Sequence, residues 1–367
     1  MTDPRLQKMA HVVANYCLEL KPGMEVRIDA PYLAEPLIRE IYREALLAGA
    51  YPSTRVGIAG LGPILYRYSS EDQLRHITRL ERFSVENLDA VVSLWADWNT
   101  REMTNVDSKK MAMFRAARKD LNTRFLERIA KRELHWCGTL FPTHASAQDA
   151  EMGLEEYESF VFGAMLLDKP DPIAEWQRVS REQARIVDYL NQVKTIEMKT
   201  KDTDLRFNCG GRKWINCDGK ENFPDGEVFT GPIEDSVEGT IRFTFPAVYG
   251  GKEVEDVRLR FEKGKCVEAR AAKGEEYLNA MLDSDEGARY VGEISFGTNY
   301  GIQRFTKHTL FDEKIGGTMH LAVGASLTES GGVNKSSLHW DMVCDFRQAG
   351  EVHADGKLIL KDGKLLI

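Results

Sequence analysis

Two residues near the C-terminus have the spacing of a metal-binding pair. His339 and Asp341 are two apart in the sequence HWD. On an extended strand, residues i and i+2 project from the same face, so this imidazole and this carboxylate can bind one divalent cation. The mixed nitrogen and oxygen donors suit zinc, cobalt or manganese. Taken alone, however, such a pair is more often a histidine that bonds a carboxylate at a strand end.

Three further donors interrupt apolar segments. Glu227 begins the run EVF, Glu293 lies in VGEIS, and His320 lies in TMHLAV. A carboxylate in a buried strand needs a cationic side chain or a metal as its partner. Nearby glycines permit close backbone approach and irregular turns beside a site. The candidate metal ligands are therefore Glu227, Glu293, His320, His339 and Asp341.

Five donors exceed the needs of one tetrahedral site. Two cations about 3.5–4 Å apart, bridged by a carboxylate, would use them well. Such a pair can deprotonate a water, polarise a carbonyl and bind a free amine, which is the chemistry of a metal-dependent aminopeptidase. The alternative is a buried salt-bridge network. Only Lys314 and Lys335 are basic residues close to these segments, which weakens that alternative.

The elements that must position these residues differ between the two halves of the chain. In the first half, apolar spacing predicts strands and helices in alternation, which indicates a parallel sheet in an α/β layer. No glycine-rich nucleotide loop follows any of these strands. The predicted strands are 24–28, 53–58, 88–95 and 133–140, and the predicted helices are 36–48, 70–83, 109–131, 145–167 and 170–193.

From about residue 195 the pattern changes to short segments with period-two alternation. Turn signals such as Gly210-Gly211 and Asp218-Gly219 separate them, and one short helix is predicted at 275–282. We therefore predict an α/β fold with an N-terminal α/β domain (1–190) that has a mostly parallel sheet. A β-rich α+β domain (191–367) follows and carries the metal site.

Composition excludes several classes of protein. The chain has 367 residues, a net charge of −8 and no basic stripe, which argues against a nucleic-acid partner. There is no apolar run of about 18 residues, so we expect no membrane-spanning helix. The first residues, MTDPRLQKMAHVV, have neither the apolar core nor the cleavage site of a signal peptide, so we expect none. Six cysteines without a CxxC pair indicate reduced thiols, and we expect a cytoplasmic location.

The segments around the donors resemble the thermophilic-type metallo-aminopeptidases, the family that includes aminopeptidase T, aminopeptidase S and PepS. The shared motifs, in chain order, are NxPDGEVFTxP, GExxxGxN, EKxxGTxHxAxG and GGxNKSxxHWDM. The resemblance continues into LKPGMEVRI near the N-terminus. It therefore covers most of the chain.

The resemblance implies an N-terminal α/β domain, a C-terminal β-rich domain with the metals, and a homodimer that encloses a cavity. It implies a small peptide as substrate and two divalent cations per chain, which would be zinc, cobalt or manganese. Glu293 and Glu227 are the candidate catalytic residues. Glu293 would bridge the metals or accept the proton of the attacking water, and these roles stay open. The implied ligands are Glu227, Glu293, His320, His339 and Asp341.

One position departs from the family pattern. The family usually has a tyrosine seven residues after the histidine of HxAxG, whereas this chain has Leu327. A phenol there could bind a metal or stabilise an oxyanion, and leucine can do neither. Tyr300 is one candidate substitute. The rival interpretation is a divergent member that acts on another small amide or ring substrate with one metal, or a binding protein.

Overall fold

The computed structural model describes residues 3–367. The α-helices of this part of the chain are α1 (Pro4–Val12), α2 (Glu35–Leu47), α3 (Leu61–Tyr68), α4 (Glu71–Arg75), α5 (Arg79–Asn87), α6 (Ser108–Ala117), α7 (Lys119–Ala130), α8 (His144–Asp149), α9 (Leu154–Ala164), α10 (Pro172–Leu190), α11 (Glu275–Leu282) and α12 (Thr309–Asp312). The strands are β1 (Glu25–Pro31), β2 (Tyr51–Gly57), β3 (Ala90–Trp95), β4 (His135–Leu140), β5 (Thr195–Lys199), β6 (Asp204–Asn208), β7 (Ile215–Cys217), β8 (Asn222–Phe223), β9 (Glu227–Thr230), β10 (Glu238–Arg242), β11 (Ala247–Tyr249), β12 (Lys252–Val254), β13 (Arg258–Glu262), β14 (Lys265–Arg270), β15 (Val291–Gly297), β16 (Thr318–Gly324), β17 (His339–Asp345), β18 (Glu351–Ala354), β19 (Lys357–Lys361) and β20 (Lys364–Leu365).

The chain packs as two compact units. The first contains the chain up to Ile173 together with Gly219–Phe223, and the second contains Ala174–Asp218 together with Pro224–Ile367. These units describe packing alone. The division into domains 1–190 and 191–367 therefore stays a prediction.

The first unit is built on a parallel sheet with the strand order β2-β1-β3-β4-β8. Strand β3 is almost wholly buried, as expected for a parallel strand that is covered on both faces. Strand β2 lies at the sheet edge and is largely exposed. The prediction of an N-terminal parallel sheet within an α/β fold is confirmed.

Two predicted helices are each divided in the structure. The segment 70–83 forms α4 and α5, because Ser70 and Thr78 each begin a helix with a capping box. The segment 109–131 forms α6 and α7, which meet at Arg118, where ψ is 4° and the α-helical geometry is interrupted. Both predictions of a single helix were wrong, because the apolar periodicity continues across the break.

A third predicted helix, 145–167, is also divided, into α8 and α9. Glu151 between them has a φ of 56°, which a helix interior does not accommodate, and Gly153 caps the start of α9. Helices α1, α3 and α12 were not predicted. Helix α1 begins at Pro4, with the Asp3 carboxylate accepting a hydrogen bond from the backbone of Arg5.

The second unit contains two larger antiparallel sheets. One has the order β14-β13-β10-β6-β5-β18-β19-β20, and the other has the order β17-β16-β15-β9-β7. We call the second of these the five-stranded sheet of the C-terminal unit. Strands β15 and β16 in it are buried at every residue. One core joins the two sheets and includes Leu205, Phe207, Leu259, Phe261, Ile294, Phe296, Leu321, Trp340 and Met342. The prediction of a β-rich C-terminal region is confirmed.

Two expectations from composition concern the membrane and the cysteines. Across residues 3–367, none of the helices is both long and apolar enough to cross a bilayer. The six cysteines are free thiols, and Cys217 is less buried than the other five. The cytoplasmic location stays a prediction.

We expect Gly324→Ala to destabilise the five-stranded sheet of the C-terminal unit. Gly324 ends β16 with a φ of 103°, and a Cβ there would lie 2.1 Å from the carbonyl oxygen of Leu338. The left-handed backbone and the collision together should lower the free energy of unfolding by about 3 kcal/mol. Urea denaturation measures this loss.

Gly211→Ala is the matched control. Gly211 also has a left-handed φ, 82°, but a Cβ there would meet nothing within 4 Å. The free energy of unfolding of this control variant should therefore fall by only about 1 kcal/mol, which is the cost of the left-handed backbone conformation for alanine. Equal losses in the two variants would contradict the proposed collision at β16.

Candidate metal centre

The register of the five-stranded sheet brings two of the predicted donors to one face. Glu293 in β15 pairs with Ala322 in β16, and Ala322 pairs with Asp341 in β17. Residues directly opposite each other on neighbouring strands project from the same face. Since Ala322 carries only a methyl group, space remains between the carboxylates of Glu293 and Asp341.

The two imidazoles reach the same face through the two-residue period of their strands. His320 is two residues before Ala322, and His339 is two residues before Asp341. The residues between them in sequence, such as Leu321, face the apolar core. The alternation of polar and apolar residues therefore separates the candidate site from the core.

Glu227 comes from the other side of β15. It pairs with Gly297 of β15 and with Cys217 of β7. The register of β15 shifts between Val291 and Glu293, which marks a β-bulge. Bulges re-aim a side chain beside a site. The structure thus brings all five predicted donors to one face of the sheet.

Glu293 lies at the middle of this group. Its Oε1 is 3.2 Å from Nε2 of His320, and its Oε2 is 3.5 Å from Nε2 of His339. Oδ1 of Asp341 is 3.5 Å from Nε2 of His339, and Oε2 of Glu227 is 3.5 Å from Nε2 of His320. Two groups of three donors result, each with its donor atoms within 4.8 Å of one another, and Glu293 belongs to both: Glu227, Glu293 and His320, and Glu293, His339 and Asp341.

The main chain orients both imidazoles. Nδ1 of His320 lies 3.2 Å from the carbonyl oxygen of Glu313, and Nδ1 of His339 lies 2.8 Å from that of Ala325. With the proton on Nδ1 donated to the carbonyl, Nε2 of each ring faces the carboxylates: it donates a hydrogen bond to them when the ring is protonated, and it would bind a cation when the ring is neutral. Metal-binding histidines are held in this way in proteins.

The carboxylates make both imidazoles strongly basic. Burial lowers the pKa of His320, but its hydrogen bond to Glu293 and the charge of Glu227 outweigh burial and raise that pKa to about 10. Burial also lowers the pKa of His339, yet Asp341 and Glu293 raise it to about 12. The negative field that favours a proton on these rings also favours a divalent cation.

One buried ammonium group belongs to the cluster. The Lys314 side chain is 1% exposed, and its Nζ lies 2.9 Å from Oε1 of Glu227 and 4.0 Å from Oδ1 of Asp225, and it contacts Glu313. Burial lowers the pKa of Lys314, but these carboxylates raise it well above its ordinary value. Lys335 is exposed. A salt-bridge network is therefore present, but only at one edge of the cluster.

The carboxylates nevertheless outnumber this ammonium group. Burial raises the pKa of Glu313 to about 8, so this carboxyl keeps its proton at neutral pH. With both imidazoles neutral, as metal binding requires, the other four carboxylates and Lys314 leave three negative charges for divalent cations to neutralise. An unbalanced buried charge is costly. The donor set therefore fits metal ions, which would take the place of the protons that the raised pKa values assign to the two imidazoles. The five carboxylates are Asp225, Glu227, Glu293, Glu313 and Asp341.

Several supporting side chains were not predicted. Ser295 donates its hydroxyl to Oε2 of Glu227 at 3.0 Å. Gln183 of α10 donates to the carbonyl oxygens of Cys217 and Glu227 at 2.9 and 3.0 Å, which holds β7 and β9 together. The period-two rule, counted from Glu293, could have identified Ser295. No sequence signal marks Gln183, because its partners are distant in the chain.

The position of the missing family tyrosine lies in the turn after β16. Leu327 there is 37% exposed. Tyr300, the candidate substitute, donates its hydroxyl to the carbonyl oxygen of Gly363 at 2.9 Å. This phenol is bound to the main chain, so the geometry does not favour Tyr300 as an oxyanion donor.

Comparison with known proteins places the whole chain in one family. The profile of the thermophilic metalloprotease family (M29) matches residues 2–365. Aminopeptidase 2 of Geobacillus stearothermophilus is 28% identical over 414 residues, which cover 99% of this chain and 95% of that protein. The structure of wild-type AmpT from Thermus thermophilus has a TM-score of 0.86 and 27% identity, and the match covers 99% of both chains. A 2,5-dihydroxypyridine dioxygenase from Pseudomonas putida KT2440, at 16% identity and a TM-score of 0.59 over 98% of this chain and 96% of that one, shares the fold alone. This chain belongs to the thermophilic metalloprotease family (M29).

Proposed function

We propose that this chain is a metal-dependent aminopeptidase that removes N-terminal residues from peptides at a centre of two divalent cations. Membership of a metalloprotease family and relatives named aminopeptidases support the reaction. The observation that carries the two-cation centre is the position of Glu293. Its two carboxylate oxygens face two different imidazoles, those of His320 and His339, as a bridging ligand requires.

Each cation would have its own imidazole and its own carboxylate. Glu227 and His320 would complete one site, and His339 and Asp341 would complete the other, with Glu293 shared between them. Zinc, cobalt and manganese all accept this set of nitrogen and oxygen donors. Bound there, the cations would polarise the peptide carbonyl and lower the pKa of a water molecule.

The peptide would reach this centre from the side of His339. The His339 side chain is 31% exposed and that of Asp341 is 17% exposed, whereas the His320 side chain is 1% exposed. The free amine and first carbonyl of a peptide therefore meet the pair from β17 first. The end of the cluster at His320 is closed to solvent and serves to hold charge in place.

We assign the central role to Glu293 rather than to Glu227. Both oxygens of Glu227 accept hydrogen bonds, from Nζ of Lys314 at 2.9 Å and from Oγ of Ser295 at 3.0 Å. Glu293 instead faces both donor groups, so it would bridge the two sites and could accept the proton of an attacking water. Glu227 then acts as a ligand.

Glu293→Gln tests this proposal directly. We expect the variant to bind fewer metal ions and to lose about 10²- to 10⁴-fold in kcat/KM, because the bridge and the proton acceptor are both removed. The measurements are hydrolysis of aminoacyl p-nitroanilides with added zinc, cobalt or manganese, and metal content by elemental analysis.

Glu276→Gln, on the exposed surface of α11, is the matched control and should retain the parent activity. The aminopeptidase proposal fails if no metal supports turnover by the parent. The assignment of Glu293 fails if its glutamine variant hydrolyses the substrate as fast as the parent does.

Leu327→Tyr tests the departure from the family pattern. If the parent lacks an oxyanion donor, the new phenol should raise kcat for aminoacyl p-nitroanilides, by up to about 10²- to 10³-fold, the usual value of one such donor. Leu327→Phe supplies the same ring without the hydroxyl and should not change the rate. A parent that binds one metal per chain, together with no gain from tyrosine, would instead favour the rival activity on another small substrate.

We also propose that the chain forms a homodimer. In the first unit, the edge strand β2 is exposed at almost every residue, with Tyr51 67% and Val56 47% exposed, and Leu47 at the end of α2 is 74% exposed. An exposed apolar sheet edge readily pairs with another chain. This surface supports the dimer that the resemblance implies.

Val56→Lys should weaken that dimer, because it places a charge on the sheet edge. Sedimentation should show the parent at twice the chain mass of 41.6 kDa and the variant closer to 41.6 kDa. Val267→Lys is the control, since Val267 is 43% exposed on β14, another edge strand. A dimeric Val56→Lys variant would exclude this edge, and a monomeric parent would exclude the dimer.

A further inference from the structure

The proposed reaction assigns no role to the buried ammonium group of Lys314. Lys314 is among the largest fully buried side chains of the described residues. It follows α12, and its Nζ bonds Oε1 of Glu227, contacts Glu313 and lies 4.0 Å from Oδ1 of Asp225. A buried lysine retains its charge only where carboxylates compensate for its lost hydration.

A third group of possible metal donors includes two of the carboxylates beside this ammonium group, Asp225 and Glu227. Donor atoms of Cys217, Asp225 and Glu227 lie within 4.8 Å of one another. Cys217 pairs with Glu227 in the register of β7 and β9, so the two side chains share the face that carries the other donors. A thiol with two carboxylates is a set that zinc or cobalt accepts.

We propose that Lys314 is a fixed cation that takes the place of a third metal ion at Cys217, Asp225 and Glu227. This inference rests on the proposed function, because it concerns the edge of the same centre. Nζ of Lys314 occupies Oε1 of Glu227 and leaves only Oε2 to face His320. Lys314 is thus a positioning residue that makes Glu227 a ligand through a single oxygen.

Electrostatics explains why the lysine and a third metal exclude each other. A divalent cation bound at Oε1 of Glu227 would lie next to Nζ of Lys314. Two positive charges in such close contact repel each other strongly where water is excluded. Metal ions therefore occupy only the two groups that share Glu293. The lysine compensates for the negative charges of Glu227 and Asp225 both when metal ions are bound and when they are not.

Lys314→Ala removes the ammonium group and opens space beside the third donor group. The full-length chain is loaded with Co²⁺, passed through a desalting column and analysed for metal content and absorption. The parent should bind two Co²⁺ ions per chain, and the variant should bind one more. The additional ion should produce a thiolate-to-cobalt charge-transfer band, because Cys217 becomes a ligand.

Two further variants complete the test. Lys314→Ala/Cys217→Ser should lose both the band and the additional ion. Lys273→Ala removes a lysine from an exposed ion pair with Glu255 and should behave as the parent does. If Lys314→Ala folds only when Co²⁺ is present, and then shows the band, the proposal is supported, because the metal replaces the lost charge.

Other outcomes overturn the inference. A Lys314→Ala variant that binds no more Co²⁺ than the parent and shows no thiolate band means that the lysine does not stand in for a metal. The same holds for a variant that fails to fold even with Co²⁺. A parent that binds no Co²⁺ contradicts the two-cation centre itself, and the metal content of the parent alone reports that failure.

Discussion

The concentration of negative charge on one buried sheet face is the constraint on which the rest of the C-terminal unit depends. Glu227 and Glu293 are almost fully buried, and Asp341 is largely so. Buried carboxylates are tolerated only where positive charge and hydrogen-bond donors meet them. The imidazoles, the hydroxyl of Ser295 and the ammonium group of Lys314 compensate for part of this buried negative charge. The negative charge that remains when the imidazoles are neutral makes this face suited to divalent cations.

The antiparallel sheet meets this constraint through its alternation. Odd-numbered donors on β15 and β17 and even-numbered donors on β16 share one face, while neighbours such as Ile294, Leu321 and Trp340 form the core on the other face. The polar centre therefore lies on a rigid, fully packed layer. A rigid layer holds ligands within tenths of an ångström, which a metal site requires and a loop seldom provides.

In the proposed centre, Glu227 would contact two kinds of cation, a lysine and a metal ion. A lysine is permanent and carries one charge on a side chain of fixed reach, whereas a metal ion can exchange and also binds substrate and water. The lysine lies at the closed edge and the candidate metal donors lie towards the partly exposed His339, which would separate these two tasks. The buried edge then stabilises the folded sheet, and the open edge remains free for chemistry.

Much of the fold was predictable from local patterns. The alternating elements of the first half and the short period-two strands of the second follow from apolar spacing, so the two halves were correctly distinguished. The helix boundaries were less accurate. The capping signals at Ser70 and Thr78 were present in the sequence, but continuous periodicity concealed the break between α4 and α5.

For the candidate site, the sequence by itself determined which residues could act: carboxylates and imidazoles at positions where apolar neighbours demand burial. Only the tertiary structure decided how they meet, because pairing between distant strands sets which donors are adjacent. That pairing placed Glu293 between the two imidazoles, left room at Ala322, and directed Lys314 to a single oxygen of Glu227. A local pattern carries no information on these contacts, since the partners lie up to 87 positions apart in the chain.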